Sequence, residues 1–379
     1  MRIVWMSWKD GYHPQTGGAE IVSGALMRRL VQDGHSVTLI TSSYPGAAHE
    51  TWHSGLRIIR VGSNRYIHPI SGLAYYMRHL RTECDMLIEE VNVAPYFSAV
   101  LSQKIKSYLF YHQLEGPVWP YEVPKPLGYI GKYILEPTAT RILSRSKIPV
   151  LTISDSTAKD LVSYGFPPSQ IAIISEGINL QPVPSLAAIV KFEKPTLLCF
   201  GAMRTMKRTI DQITAFEILK SVLPDAQLKI AGRCDSRYGQ RVMAQIHASP
   251  YRSDIEYFGH VDTRQKMHLF RRCHIVMQTA VHEGWGLTVT EAASQGTPAV
   301  GYNVKGLRDS IKHNVTGILT HQNPRALASA MVGLLKNKPQ YQALQQAAWQ
   351  WSKTITFEQS YQDFTHATGL DKAGGNTYA

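Results

Sequence analysis

The chain has 379 residues, more than one hydrophobic core usually serves, so two domains are expected. A hydrophobic fraction of 44% and a charged fraction of 18% are those of an ordinary globular protein. The formal net charge of +12 favours anionic partners, such as nucleoside diphosphates, an anionic lipid surface or nucleic acid.

Several protein classes are disfavoured by what the sequence lacks. It contains no zinc finger, no RNP-like aromatic motif and no continuous basic arm, which argues against a nucleic-acid partner. No apolar run is long enough to span a bilayer, and residues 1–14 do not have a signal-peptide arrangement. The four cysteines have no paired or metal-like spacing and predict reduced thiols. We therefore expect a cytoplasmic protein, with at most peripheral contact at the inner face of a membrane.

The first half of the chain alternates between strand and helix patterns. Residues 3–7 and 36–41 predict strands on either side of a glycine-containing loop and a helix at 19–32. Further strands are predicted at 56–61, 85–89, 108–111, 150–154 and 171–174, with helices at 72–81 and 129–144. This order is typical of an α/β fold with a parallel, Rossmann-like sheet. We assign residues 1–180 to this N-terminal domain.

A second open sheet is predicted after a linker at 180–194. Its strands are expected at 196–200, 227–231, 255–258, 275–279, 299–302 and 317–319, with helices between them. We assign residues 195–352 to this domain and residues 353–379 to a final helix, at 357–368, followed by a loose tail.

The most informative stretch follows the apolar strand at 275–281. Glu283 is predicted in the loop after that strand, and Glu291 about one turn into the next helix. Gly284 and Gly286 allow close approach of a ligand, and the first helical amides, near Leu287 and Thr288, can hold an anion. A nucleotide-sugar, with hydroxyls on both sides of a diphosphate, fits this layout.

The run from 282 to 301, with seven residues between Glu283 and Glu291, resembles the E-x7-E signature of family 4 retaining glycosyltransferases; Trp285 stands where Phe is commoner. The resemblance implies two facing Rossmann-like domains, the GT-B fold, with the active site in the interdomain cleft. It also implies that Glu283 contacts the donor sugar, Glu291 the ribose, and the 286–288 backbone the diphosphate, and that the final helix crosses back to the N-terminal domain. The alternative for the glutamates is a solvated pair at a helix start.

Other segments resemble the same family. PQTGGAE implies that Gly17 and Gly18 close over the diphosphate, although a Gly-Gly pair is more often a flexible turn. His112, after the strand at 108–111, matches the family's histidine near the donor sugar; a capping or core histidine is the alternative. The loop containing Gly259 and Val261 resembles the one that holds the nucleotide base.

Two further segments resemble the family but depart from its pattern. Lys207 matches a lysine that contacts the donor phosphates, but Ala202 replaces the usual arginine, so Arg204 or Arg208 would supply that charge. For the lysine and for the arginine, the alternative is a solvated charge on the surface. Residues 175–179, SEGIN, resemble an N-G-hydrophobic-D segment, but Glu176 and Asn179 depart from its usual residues, so we carry no role over to them.

Together these features predict a hexosyltransferase that moves a sugar from a UDP- or GDP-sugar to a glycan, lipid-linked or small-molecule acceptor. No D-x-D motif is present, so no metal and no other cofactor are expected. A nucleotide-sugar 2-epimerase of the same fold, or a non-catalytic nucleotide-sugar-binding protein, are the alternatives.

One segment of the predicted N-terminal domain is both basic and aromatic. Residues 115–147 mix Trp, Tyr and Pro with five Lys or Arg side chains, a composition typical of a bilayer interface. We expect contact with an anionic membrane or with the acceptor here. A helix packed into the core is the alternative.

Overall fold

The computed structural model describes residues 1–64, 67–92 and 94–371. The chain forms two compact units, each around its own sheet. The first unit contains residues 1–119 and 125–177 together with the chain from residue 357 onward. The second contains residues 120–124 and 178–356.

The sheet of the first unit has eight strands in the order β3-β4-β2-β1-β5-β6-β7-β8. They are β1 (Arg2–Met6), β2 (Ser36–Thr41), β3 (Glu50–His53), β4 (Leu56–Arg60), β5 (Met86–Glu90), β6 (Lys106–Tyr111), β7 (Val150–Thr152) and β8 (Ile171–Ile173). All neighbouring strands pair in parallel except β3 and β4, which form an antiparallel hairpin. The sequence did not reveal β3, because this edge strand is short and polar and buries neither face fully.

The helices of this half of the chain are α1 (Gly18–Gln32), α2 (His68–Tyr75), α3 (Ser98–Leu101), α4 (Trp119–Glu122), α5 (Leu127–Ile130), α6 (Glu136–Ser144) and α7 (Asp155–Ser163). Most of α4 belongs to the second unit, which contains residues 120–124. A π turn at Tyr76–Leu80 extends α2, and another at Gly131–Leu135 joins α5 to α6, so the helix predicted at 129–144 is present but locally unwound. Ser154 caps α7, since its side chain accepts a hydrogen bond from the Thr157 amide.

The sheet of the second unit is entirely parallel, in the order β11-β10-β9-β12-β13-β14. Its strands are β9 (Thr196–Phe200), β10 (Gln227–Ala231), β11 (Ile255–Tyr257), β12 (Ile275–Gln278), β13 (Ala299–Tyr302) and β14 (Gly317–Thr320). Its helices are α8 (Thr209–Lys220), α9 (Arg237–Ala248), α10 (Thr263–Arg272), α11 (Leu287–Ser294), α12 (Leu307–Ser310), α13 (Pro324–Lys336) and α14 (Lys338–Ser352). Both sheets have the doubly wound, Rossmann-like arrangement that the sequence predicts.

The final helix, α15 (Phe357–Thr368), belongs to the first unit. The Phe364 ring stacks on Trp5 of β1 with 5.7 Å between ring centroids. Tyr361 donates a hydrogen bond from its hydroxyl to Asp33, at the end of α1. The tail expected at 373–379 lies outside the described residues.

The predicted linker at 180–194 is part of the second unit rather than a free connection. Leu180 and Val183 are buried, and the Val183 amide donates to the Ser294 carbonyl. The Lys191 ammonium donates to three oxygens of the same unit: the Cys273 carbonyl, the Gly296 carbonyl and the Thr297 hydroxyl. Apolar residues spaced among the prolines, rather than the prolines themselves, decide how this segment packs.

Candidate functional site

The most closely connected pair among the predicted residues lies where the strand order of the second sheet reverses, between β9 and β12. Lys207 lies in a short turn after β9, and Glu283 follows β12. The Lys207 ammonium donates a hydrogen bond to Oε1 of Glu283. The Thr279 hydroxyl donates to the Lys207 carbonyl over 2.8 Å and fixes that turn to the end of β12. In an open parallel sheet, such a reversal is the usual position of a ligand site.

The backbone of Glu283 is held by a neighbouring loop. Its amide donates to the Lys305 carbonyl over 3.2 Å. A Cβ atom on Gly306 would lie 2.1 Å from the Glu283 carbonyl oxygen, so only glycine permits this approach. Glu283 is thereby fixed in place with only 9% of its surface exposed.

Helix α11 begins directly after this loop. Gly286 adopts a φ of +95°, a left-handed conformation that disfavours any side chain there. The first amides of a helix lack acceptors within the helix, so those of Leu287 and Thr288 form the positive end that the sequence predicts. Gly284 is buried and Trp285 half-buried in the loop before it.

Glu291 lies one turn into α11 and is buried. Lys266 of α10 donates to its Oε1 over 2.5 Å. Burial raises the pKa of the Glu291 carboxyl, and the charge and hydrogen bond of Lys266 partly offset this shift. The sequence reasoning missed Lys266, because nothing local to α10 indicates which of its several basic residues faces α11.

Both candidate arginines are engaged in ion pairs. Arg204 contacts Glu122 through its guanidinium, at 3.0 Å, and Arg208 contacts Asp211 at 2.7 Å. Arg208 also lies over the Tyr302 ring, 5.1 Å from its centroid, and adopts a φ of +51°. Arg204 has the more exposed side chain, 49% against 26%. Glu122, a partner of Arg204, was not predicted.

The remaining residues predicted to bind the donor are placed as follows. Gly259 has a φ of +67° with open space where a side chain would begin, and its carbonyl accepts from the Gly232 amide. Val261 is buried in an apolar cluster between β9, β12 and α10. Trp285 packs towards Trp351 of α14, with 6.0 Å between ring centroids. Its indole N–H is buried and makes no hydrogen bond with the described residues.

In the first unit, His112 follows β6 and is only 4% exposed. Its Nε2 lies 3.2 Å from the Ser23 hydroxyl of α1 and 3.7 Å from Oε1 of Glu90, at the end of β5. Burial lowers the pKa of the imidazole, but the hydrogen bond and charge of Glu90 outweigh it, so the net shift is upward. Glu90 also accepts from the Trp5 indole and the Ser7 hydroxyl. The sequence reasoning did not identify Glu90.

The predicted glycine pair forms the start of α1. Gly17 precedes the helix and Gly18 is its first residue. The Gly17 amide already donates to the Glu20 carboxylate over 2.6 Å, and Lys9 lies 3.3 Å from the same side chain. The positive end of α1 is therefore partly neutralised by its own glutamate.

The basic and aromatic segment presents an apolar outer surface. Helices α5 and α6 and the π turn between them bury small or polar residues, including Gly128, Gly131 and Thr140. Leu143 of α6 is buried in the core, but the other large apolar side chains are exposed: Leu127, Tyr129, Ile130, Tyr133, Ile134, Leu135 and Ile142. Between residues 123 and 150 the only acidic residue is Glu136, which is buried. The segment therefore combines exposed apolar groups with unopposed positive charge.

Two negative findings concern the described part of the chain. None of its helices is both long and apolar enough to cross a bilayer. Nor do its His, Cys, Asp and Glu side chains form any group of three or more placed to hold a metal ion.

Comparison with known families places both halves of the chain among sugar-transferring enzymes. A model of glycosyl transferases group 1 matches residues 187–351, and a model of glycosyltransferase family 4 matches residues 16–182. An uncharacterised glycosyltransferase of Methanocaldococcus jannaschii is 23% identical over 86% of this chain and 87% of its own. N-acetyl-alpha-D-glucosaminyl L-malate synthase of Bacillus anthracis is 21% identical over 86% of each.

Solved structures share the fold. A sucrose-phosphate synthase from Thermosynechococcus elongatus superimposes with a TM-score of 0.76 at 18% identity, covering 98% of this chain and 100% of the other. HepE of Anabaena, solved in complex with UDP-glucose, gives a TM-score of 0.73 at 13% identity, with 98% and 100% coverage. The two-domain α/β fold expected from the sequence is thus confirmed.

Proposed function

Because the chain belongs to the family 4 glycosyltransferases, we propose that it transfers a sugar from a nucleoside diphosphate sugar to an acceptor hydroxyl, with retention of anomeric configuration. The observation that carries the proposal is the contact between Lys207 and Glu283 beside the start of α11. It brings a cation, a carboxylate and the first amides of a helix to one edge of the second sheet. This set matches the diphosphate and the sugar of such a donor.

In the proposed arrangement the charge that develops on the leaving diphosphate is stabilised by Lys207 and by the first amides of α11. Preorganised positive groups stabilise such a transition state most strongly when water is excluded. Glu283 accepts hydrogen bonds from the sugar, and Glu291 accepts them from the ribose. Gly259 and Val261 border the base. Arg204, the more exposed of the two arginines, adds positive charge by leaving Glu122.

The first unit supplies two further groups to this proposal. Gly17 and Gly18 approach the diphosphate through the start of α1, and His112 donates a hydrogen bond to the transferred sugar. The leaving diphosphate accepts the proton of the acceptor hydroxyl, so no nucleophile of the protein is required. We propose that neither a metal nor another cofactor takes part.

Among possible donors we favour a uridine diphosphate sugar, because HepE of Anabaena, which has the same fold, has been solved with UDP-glucose. The test is nucleoside diphosphate release and thermal shift across UDP-, GDP-, ADP- and TDP-sugars, each with and without chelator. We expect one donor to stabilise the protein and to be consumed in chelator. Activity that chelator abolishes and added divalent metal restores would contradict the metal-free mechanism.

We also propose that the segment formed by α5, α6 and the π turn between them binds an anionic membrane surface. Its exposed apolar residues and its two cations, Lys132 and Arg141, match an interface rich in acidic lipids. Three further cations flank it, Lys125, Arg145 and Lys147, and the one acidic residue between 123 and 150, Glu136, is buried. Liposome flotation tests this directly. Equal binding to neutral and anionic vesicles would exclude the electrostatic part of the proposal.

A further inference from the structure

One side of α10 lines a groove of the second unit. The helix contributes two rows of residues spaced four apart, a spacing that places each row along one side of the helix: Thr263, Met267 and Arg271, and Arg264, His268 and Arg272. Ala188 and Val190, from the segment at 186–190, complete the lining. The groove has a volume of about 820 Å³, which is sufficient for a small molecule.

The chain segments that form this groove are fixed to each other. The Phe192 amide donates a hydrogen bond to the Arg272 carbonyl over 2.9 Å. The Lys191 ammonium donates to the Cys273 carbonyl, directly after α10, over 2.8 Å. The Phe192 ring lies nearly perpendicular to the His268 ring, with 6.0 Å between ring centroids. The groove is therefore formed by anchored segments and is not a gap beneath a loose loop.

The lining of the groove is basic and contains no acidic side chain. Arg264, Arg271 and Arg272 are charged at every physiological pH, and none of them forms an ion pair with the described residues. The acidic residues nearest to them along the chain, Asp262 and Glu193, do not line the groove, and the Asp262 carboxylate caps α10. The groove thus holds positive charge that no described carboxylate neutralises.

Two of the three guanidinium groups are held in place. Arg271 donates from Nη2 to Oε1 of the buried Gln295 over 2.9 Å, and Nε2 of Gln295 donates in turn to the Gln181 carbonyl. The guanidinium of Arg272 lies over the Phe192 ring, 4.5 Å from its centroid. Side chains that are ordered before a ligand arrives lose less conformational entropy on binding it. Both arginines are therefore preorganised.

The hydrogen bonding of these two arginines is incomplete. The Nε atoms of Arg271 and Arg272 are buried, and neither donates a hydrogen bond to the described residues. Buried donors without an acceptor are costly and uncommon, and an anion beside the guanidinium groups offsets that cost. The planar guanidinium matches the oxygens of phosphate well. A phosphate monoester carries about two negative charges near neutral pH, so two phosphates balance the charge of this groove.

We propose that the groove binds a small molecule with two separate phosphate groups. Arg271 and Arg272 hold one phosphate. Arg264, two helical turns and about 10 Å away along the axis of α10, holds the other. The carbon skeleton between the phosphates lies against the apolar side chains of Met267 and Val190. This site is distinct from that of the donor, because none of its lining residues is among those assigned to the nucleotide-sugar.

The test is titration calorimetry of the full-length protein with fructose 1,6-bisphosphate, compared with fructose 6-phosphate, which has only one phosphate. We expect the bisphosphate to bind at least tenfold more tightly. Arg264→Met and Arg271→Met should each weaken its binding by about tenfold or more, the effect of losing hydrogen bonds to a charged group. Arg264→Met should hardly change the binding of fructose 6-phosphate, because the phosphate of that ligand lies at the other end of the groove.

Two further variants serve as controls. Arg325→Met removes an exposed arginine at the start of α13, in the same unit, and should bind the bisphosphate as the wild type does. Lys207→Ala tests whether the bisphosphate binds at the candidate donor site instead. Arg264 is exposed and makes no contact with the described residues, so Arg264→Met should fold even if the variants of the anchored arginines do not.

Three results would overturn the proposal. They are a wild type that does not bind the bisphosphate, binding by Arg264→Met that equals that of the wild type, and loss of binding in Lys207→Ala. If the soluble bisphosphate does not bind but Arg264→Met floats less than the wild type with vesicles of phosphatidic acid, the phosphate belongs to a lipid and not to a small molecule. Absence of sugar transfer would refute the proposed function and leave the calorimetric result standing.

Discussion

Lys207 and Glu283 form an ion pair that joins the ends of two adjacent parallel strands, β9 and β12. The two side chains are 32% and 11% exposed, so a ligand can reach the lysine while the carboxylate stays largely shielded from water. Each residue follows a buried strand, and the reversal of strand order leaves a gap above them.

Replacing Lys207 by alanine is expected to lower kcat by about 10²–10³-fold, the effect of removing one preorganised charge from a developing anion. Affinity for the donor should change less, because the charge of the diphosphate increases as the sugar leaves. Steady-state release of nucleoside diphosphate measures both quantities. Lys336→Ala, an exposed lysine of the same unit, is the control. A Lys207→Ala enzyme with the turnover of the wild type would remove Lys207 from the site.

The ion pair between Lys266 and Glu291 predicts a pH effect on nucleotide binding. Burial raises the pKa of Glu291 and Lys266 lowers it, so Lys266→Met should raise that pKa further. A protonated Glu291 is a poorer acceptor for ribose hydroxyls. As pH is lowered, Glu291 should therefore become protonated sooner in Lys266→Met, and the affinity for UDP should begin to fall at a higher pH than in the wild type.

Titration calorimetry with UDP from pH 5 to pH 8 would measure this difference. Glu291→Gln, which cannot ionise, should bind UDP weakly at every pH, with a loss of about 1–3 kcal/mol for a buried acceptor. Parallel pH profiles for the wild type and Lys266→Met would show that the carboxylate of Glu291 is not used by the nucleotide.

The sequence predicts the strands of both sheets well because most are short, buried apolar runs between glycine-containing turns. The family resemblance implies that Lys207 and Glu283 both contact the donor, and the structure brings the two side chains into contact. The partners Lys266, Glu122 and Glu90 could not be predicted, because each meets its site residue through tertiary packing between elements distant in sequence. The prolines of 180–194 indicate a break in secondary structure and so predict a linker, whereas burial of Leu180 and Val183, which decides its packing, could not be predicted.

The exposed apolar face of α5 and its π turn predicts a loss of membrane binding on substitution. Ile130 and Ile134 are 39% and 57% exposed, so changing both to serine should cost little stability. Full transfer of one such side chain into the bilayer contributes about 1.5–3 kcal/mol, so the double variant should lose at least tenfold in binding to anionic vesicles. Val222→Ser, an exposed residue of the second unit, is the control. Unchanged flotation would indicate that this face contacts something other than lipid.

Lys191 predicts a dependence of stability on pH that is separate from catalysis. Burial lowers the pKa of its ammonium from 10.5 to about 7, although three oxygens accept its hydrogen bonds. Between these two values the unfolded chain binds more protons than the folded one, so this residue makes the free energy of unfolding rise with pH. The largest possible slope is about 1.4 kcal/mol per pH unit. The three hydrogen bonds of Lys191 stabilise its charged form in the folded protein and therefore reduce this slope.

Lys191→Met has no proton to exchange at this position. The difference in the free energy of unfolding between wild type and Lys191→Met should therefore shift in favour of the wild type as pH rises from 7 to 9, while contributions from other groups cancel. Urea unfolding at several pH values measures it. Lys194→Met, three residues along the same segment and exposed, should show no such trend. A difference independent of pH would mean that the three acceptors keep Lys191 charged throughout, and that its hydrogen bonds compensate for its burial.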